Sequence, residues 1–270
     1  MKKTLTLLAI LAAIGPAWAA DVVSSNIVGY YKLDTSTGYT MVGSSFQAVG
    51  GNNIVGIQTV QGKGLTGVDW TFETEAGDTL LLWNPEEQAY STELNYTGDS
   101  DPDGLMDAFG ATPGTWFDMG NFKTADNELV NGAAFWIKST SDSATVTLSG
   151  EVPETAPAIE LSTGYNMIAN PYPKAVDVNE LFTATGLTGV DWTFETEAGD
   201  SLMIWSPEEQ AYSVELLYTG DSDPDGLMDA FGATPGTWFD MGNFKTADNV
   251  IPVGGAFWIK SSGSGTLTFK

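Results

Sequence analysis

The chain has no cysteine and no histidine, and all ten of its basic residues are lysine, so it has no arginine either. Each absence excludes chemistry. Without cysteine there is no disulfide and no thiolate to act as nucleophile or metal ligand. Without histidine the commonest general base and the commonest transition-metal ligand are missing. Without arginine no planar clamp can hold a carboxylate or phosphate. Positive charge is scarce overall, with 10 lysines against 35 acids and a net charge of −25. Such a surface repels nucleic acid and anionic lipid, so neither is an expected partner. It favours solubility and attracts cations.

Long apolar runs are scarce too. One spans residues 5–14, behind Lys2 and Lys3 and ahead of Gly15-Pro16 and Ala17-Trp18-Ala19. Basic start, apolar centre and small-x-small end are the pattern of a signal peptide, placed at residues 1–20. The run is short of the roughly 20 residues a membrane span needs, and no later stretch could cross a bilayer. The expected destination is outside the cytoplasm: secreted or cell-surface, with the periplasm as the alternative.

What the chain has in abundance is repetition. Residues 65–127 and 187–249 align without a gap at an offset of 122, with six differences in 63 pairs. These are Thr79/Ser201, Leu81/Met203, Leu82/Ile204, Asn84/Ser206, Thr92/Val214 and Asn95/Leu217. Upstream, residues 36–43 pair with 162–169 at an offset of 126, so the first copy carries four extra residues in its Gly-rich stretch 49–64. Downstream, residues 132–138 pair with 254–260. Two copies of this size make a tandem protein and not a solenoid, whose repeats run to roughly 20–50 residues. The expected domains are residues 21–150 and 158–270. Residues 151–157 join them as a linker stiffened by Pro153 and Pro157.

Strand signals dominate. Val68, Trp70 and Phe72 alternate with polar residues. The apolar run 79–83, the turn Pro85-Glu86-Glu87-Gln88 and the alternation Tyr90, Thr92, Leu94, Tyr96 predict a hairpin. Residues 135–137, 145–148 and 265–269 read as further strands. Glycine and proline recur every 8–12 residues or so, as in sandwiches and barrels. The expected fold is all-β: two tandem β-sandwich-like, or barrel-like, domains from an internal duplication. Helix is expected only as short turns at 176–182 and 102–109.

The sharpest motif is Asp99-Ser-Asp101-Pro-Asp103-Gly104-Leu-Met-Asp107, repeated with Asp221, Asp223, Asp225, Gly226 and Asp229. Acids at positions 1, 3, 5 and 9 with glycine at 6 match the front of a calcium loop, where carboxylates converge on one hard cation. The stretch resembles the calcium loops of dockerins and thrombospondin type 3 repeats. It departs from the full pattern at position 12, where Gly110 and Gly232 replace the bidentate Glu. A remote acid or water would complete the shell, giving an affinity of roughly 10⁻⁴–10⁻³ M. The alternative is a solvated Asp-Pro-Asp-Gly turn. Against a bare turn stands repulsion of about 1 kcal/mol per close carboxylate pair even at the dielectric of water.

Each copy has four tryptophans: Trp70, Trp83, Trp116 and Trp136, then Trp192, Trp205, Trp238 and Trp258. Core packing is their ordinary use. In Trp116-Phe117 and Trp238-Phe239 neighbouring side chains point to opposite faces, so one of each pair is expected outside. That makes Trp116 and Trp238 candidates for stacking on sugar rings. A glycosidase needs two carboxylates roughly 5–10 Å apart across a cleft. Glu73 and Glu75 share a strand face, but nothing marks either as perturbed, and no Ser–His or Cys–His pair can exist. No catalytic residue is assigned.

One further segment, Gly164-Tyr-Asn-Met-Ile-Ala-Asn-Pro-Tyr-Pro173, resembles the "GWNLIGNPYP" segment of β-rich secreted and surface proteins from environmental Gram-negative bacteria. The Phe-Trp-Ile-Lys segments ending at Lys138 and Lys260 resemble the closing strand of the same proteins. The first copy departs, with Thr40 for Asn and Ser44-Ser45-Phe46 for Asn-Pro-Tyr. The resemblance implies a secreted β-sandwich-like module and no activity. The function expected is a non-enzymatic structural or interaction protein, stiffened by calcium. The partner is then an extracellular protein or a glycan. A lectin with two equivalent sites is the alternative, and a polysaccharide hydrolase a more remote one.

Overall fold

The computed structural model describes residues 28–48, 54–56, 60–67, 77–96, 114–140, 144–155, 157–189, 199–206, 208–218, 231–234 and 236–270. The predicted signal peptide, both Asp loops, the turn at 102–109, the strand around Trp70 and the carboxylates Glu73 and Glu75 lie outside the described residues.

The first half of the chain holds β1 (Val28–Thr35), β2 (Gly38–Gly43), β3 (Ile54–Gly56), β4 (Gln61–Lys63), β5 (Thr79–Asn84) and β6 (Ala89–Tyr96). It continues with β7 (Thr115–Asp118), β8 (Lys123–Thr124), β9 (Glu128–Val130), β10 (Ala134–Ser139) and β11 (Ala144–Glu151). The second half holds β12 (Ala158–Leu161), β13 (Gly164–Ala169), β14 (Val176–Asp177), the single helical turn α1 (Val178–Leu181), β15 (Phe182–Thr185) and β16 (Ser201–Ser206). It ends with β17 (Ala211–Tyr218), β18 (Thr237–Asp240), β19 (Lys245–Thr246), β20 (Val250–Ile251), β21 (Ala256–Ser261) and β22 (Gly265–Phe269).

The described residues are all-β, in antiparallel sheets, and no sheet closes into a barrel. The barrel-like form of the expectation is therefore corrected. A six-stranded sheet β2-β10-β5-β6-β7-β8 in the first half corresponds strand for strand to β13-β21-β16-β17-β18-β19 in the second. The three-stranded sheets β1-β11-β4 and β12-β22-β15 correspond likewise, as do the pairs β3-β9 and β14-β20.

Side-chain alternation divides each six-stranded sheet into two apolar faces. On β10, Phe135 and Ile137 enter the core of the first half with Leu80, Val42, Val146 and Trp116. Ala134 and Trp136 point the other way. On β21, Phe257 and Ile259 enter the second core, while Ala256 and Trp258 point away. A strand buried on both faces needs a continuous apolar run, and Ala-Phe-Trp-Ile supplies one in each half.

The two outward faces meet each other. Met41, Trp136, Met167, Ala169 and Trp258 form one buried cluster, flanked by Leu81, Trp83, Met203 and Trp205. Trp136 meets Trp205 edge-on at 5.1 Å, and Trp258 meets Trp83 in the same way at 5.1 Å. Trp83 Nε1 donates to the Tyr165 carbonyl at 2.7 Å, and Trp205 Nε1 donates to the Tyr39 carbonyl at 3.0 Å. Gln88 and Gln210 repeat the reciprocity on the same two residues: the Tyr165 amide donates to Gln88 Oε1 and the Tyr39 amide to Gln210 Oε1. The main chain joins in, as Gly43 N donates to Gly254 O and Ala169 N to Gly132 O, each at 2.8 Å. Each of these contacts has a mate with the halves exchanged, the mark of a twofold, self-complementary pattern. The segment 151–157 therefore joins two bodies already in contact and is not a spacer.

The predicted helix at 176–182 is one turn. Asp177 caps it by accepting from Asn179 N, and Phe182 returns to extended backbone.

Candidate functional site

A cavity of about 460 Å³ opens in the first half beside the β5–β6 turn. Trp83 and Tyr90 form an aromatic wall, Glu87 and Ser91 come from the same hairpin, and Glu128 and Ala134 close the opposite side. The hairpin exists because Asn84 Oδ1 accepts from Glu86 N at 2.9 Å, and Gln88 takes the left-handed backbone at φ 50° that ends the turn. The wall is fixed in place. Trp83 is edge-on to Tyr90 at 4.8 Å and anchored across the seam through its ring nitrogen. The Tyr90 hydroxyl accepts from Trp136 Nε1 at 3.1 Å, and burial raises its pKa. A cleft of this volume is in the range of small-molecule sites. Its aromatic faces, two carboxylates and hydroxyls suit a ligand with an apolar face and many hydrogen-bond donors.

The second half differs at these positions. Val250 replaces Glu128, Ser206 replaces Asn84, Ile204 replaces Leu82 and Gly255 replaces Ala133. Glu128 is the only acid among these four, so the repeat does not copy the charge of the cleft.

The candidates Trp116 and Trp238 are not exposed. They are 3% and 4% exposed, and their neighbours Phe117 and Phe239 are each 1% exposed. Alternation does send each pair to opposite faces, but both faces are covered. Trp116 enters the first core and donates from Nε1 to Val60 O at 2.8 Å. Phe117 lies on the seam side, in register with Leu94 and, through it, Thr79. The expectation that one of each pair faces solvent is corrected. Among the described residues, no tryptophan stands on an open surface, and Trp83 and Trp205 are half-buried. The eight aspartates, Asp99, Asp101, Asp103 and Asp107 with Asp221, Asp223, Asp225 and Asp229, lie outside the described residues. Among those described, no group of three acids could hold a metal.

Several described acids are structural. Asp78 is fully buried and accepts from Thr66 N at 2.8 Å and Thr140 N at 2.6 Å, and Asp200 accepts from Thr188 N and Ser262 N in the same way. Asp118 and Asp240 each fold the following turn, accepting from two backbone amides and an Asn side chain.

One acid was missed by the sequence reading. Glu215 is fully buried, and neither carboxylate oxygen has a hydrogen bond of ordinary geometry. It stands on the inner face of β17 in a cross-strand row of Ile259, Leu202, Glu215, Asp240 and Lys245. Desolvation, then the charge of Asp240, pushes its pKa up to about 7, and the nearby Ser213 hydroxyl opposes this only in part. Desolvation acts on Asp240 too, but the Asn243 side chain and the Asn243 and Gly242 amides hold its carboxyl below the usual range. Such a divergent pair is the pattern of an acid and a base, yet neither residue lines a described cavity. The available signal was Leu202–Glu215 alternation, which places an acid on the core face. Glu93 has the same register, opposite Leu80 and Asp118.

No helix among the described residues is long and apolar enough to cross a membrane. No protein-family model, curated protein or solved structure matches the chain.

Proposed function

We propose that the chain is an exported, non-enzymatic structural or interaction protein: two tandem β-sandwich-like halves from an internal duplication, stiffened by calcium at the Asp loops. The observation that carries this reading is the seam. Tryptophans that could have formed open binding platforms instead bind one half to the other, which makes a rigid block. Calcium at Asp99–Asp107 and Asp221–Asp229 would relieve the repulsion of closely spaced carboxylates. The test is thermal unfolding of the chain lacking residues 1–20, with and without 5 mM CaCl₂, on the order of ten times a weak extracellular affinity. A calcium-dependent rise in Tm is expected, lost on Asp101→Asn/Asp223→Asn. An unchanged Tm sinks the calcium part. Release of reducing sugar from any polysaccharide in a hydrolase screen sinks the non-enzymatic part.

A second reading is favoured by the cleft. Trp83, Tyr90, Glu87 and Glu128 suit a saccharide, and an aminosugar best, because both charges are negative. Since Val250 replaces Glu128, one site per chain is expected in place of two equivalent ones. Titration with chitosan and chitin oligosaccharides, followed by tryptophan fluorescence, measures this. The Glu128→Val variant installs a side chain that the second half already carries, and it should weaken binding at least tenfold. Two sites per chain, or binding indifferent to this substitution, would place the ligand elsewhere.

A further inference from the structure

The seam is twofold in its pattern but not in its residues. Gly43 and Ala169 are equivalent positions, at the ends of β2 and β13, and they lie against each other where the halves meet. A Cβ on Gly43 would fall inside van der Waals contact with the Ala169 Cβ, and 2.9 Å from the Gly255 carbonyl oxygen. Gly43 has ordinary extended backbone, so space and not conformation requires glycine there.

Two neighbouring contacts share the asymmetry. Ser45 Oγ donates to Asn170 O at 2.7 Å and accepts from Gly254 N at 3.0 Å. The equivalent position in the second half is Pro171, which has no hydroxyl. It offers its carbonyl to Asn131 Nδ2 at 3.2 Å. The loop glycines Gly254 and Gly132 are also equivalent, yet each is covered differently. The Tyr31 ring, whose hydroxyl donates to Gly43 O, packs on Gly254, whereas Ile159 and Phe269 pack on Gly132.

We propose that the seam is a recognition surface in which half one selects half two in preference to a copy of itself, with Gly43 providing the space that Ala169 fills. The aromatic and methionine centre of the seam is shared: Met41 matches Met167, Trp136 matches Trp258, Trp83 matches Trp205 and Tyr39 matches Tyr165. Faces this similar would pair in any combination. Two alanines facing each other across the axis collide, and two glycines leave a gap, so the mixed pair is favoured over both like pairs. An exchanged dimer, in which half one of one chain takes half two of another, keeps every one of these contacts. Pairing of half two with half two does not.

The test is a reciprocal swap in the full chain. Gly43→Ala, Ala169→Gly and the double variant are compared with the parent by Tm and by the near-ultraviolet circular dichroism of the paired tryptophans. Gly43→Ala alone is expected to lower Tm by at least about 4 °C and to weaken the tryptophan signal. The double variant is expected to regain more than half of both losses, since it only exchanges which half carries the methyl group. Should Gly43→Ala fail to fold, recovery of folded protein in the double variant is the same result. A harmless Gly43→Ala overturns the proposal. So does a loss that Ala169→Gly leaves unrepaired, because the Gly255 carbonyl alone would then require glycine.

Discussion

Glu215 shows how much a single buried side chain can set. Its carboxyl has a pKa of about 7 in the folded chain against an ordinary 4.5, raised first by desolvation and then by Asp240. A raised folded pKa means that the native state binds the proton more tightly than the unfolded chain. The stability it contributes is therefore complete below pH 4.5 and is lost as pH rises through 7. Glu215→Gln keeps the shape and removes the titration. The variant's Tm should exceed the parent's by an amount that is small at pH 4, grows between about pH 4.5 and 7, and is level above pH 8. A difference that stays constant across that range would show that Glu215 does not titrate there. The sequence marked this residue only weakly, because acids are so numerous that one more on a strand carries little information. Trp116 and Trp238 went the other way. Adjacency placed their side chains on opposite faces from Phe117 and Phe239, but it could not say that both faces were covered.

Among the elements, the β7–β8 turn and its twin between β18 and β19 show one local sequence building one structure twice. Asp-Met-Gly-Asn-Phe forms both. Asp118 Oδ1 accepts from Gly120 N at 2.8 Å and Asn121 N at 3.0 Å, and Oδ2 accepts from Asn121 Nδ2 at 2.7 Å. Phe122 and Phe244 then take the left-handed backbone at φ 52°, which is costly for an aromatic residue. The Asp side chain compensates. Asp118→Ala leaves these donors without their charged acceptor and should cost about 1–3 kcal/mol in urea unfolding. Asp118→Asn keeps an acceptor and should cost less. Equal losses in the two variants would show that a neutral acceptor contributes nothing there. The hairpin of β5 and β6 was legible because its turn residues and alternation agree. The single turn at Val178–Leu181 was legible as a short helix for a similar reason: Asp177 caps it and an apolar pair follows. What β10 and β21 would face was not legible. Ala-Phe-Trp-Ile predicts a strand, and its unbroken apolar character was the one sign that both sides would be covered.

At the scale of the molecule, the repeat was plain in the sequence, but its consequence was not. A Pro-bearing segment between two acidic copies suggested modules held apart. The structure places them face to face, because each six-stranded sheet carries a second apolar face that only the other half covers. Pairwise identity says that two faces are alike, and no rule of sequence says that they meet. The cleft depends on that meeting, since Trp83 is held by the Tyr165 carbonyl and Trp258. If the seam and not the linker unites the halves, cutting the linker should not part them. Glu154 and Thr155 are exposed, so a protease site inserted between them is accessible. After complete cleavage, light scattering at about 1 μM, a concentration at which the halves stay paired only if they bind more tightly than about 8 kcal/mol, is expected to give the mass of the intact chain. Denaturing electrophoresis of the same sample should show two fragments. Trp83 Nε1 and Trp205 Nε1 then supply the control. Replacing both tryptophans by phenylalanine removes the two indole hydrogen bonds across the seam and should release the cleaved halves, while the uncut variant stays together at the linker's high effective concentration. Halves that separate after cleavage of the parent chain would mean that the linker, and not the tryptophan seam, holds the molecule together.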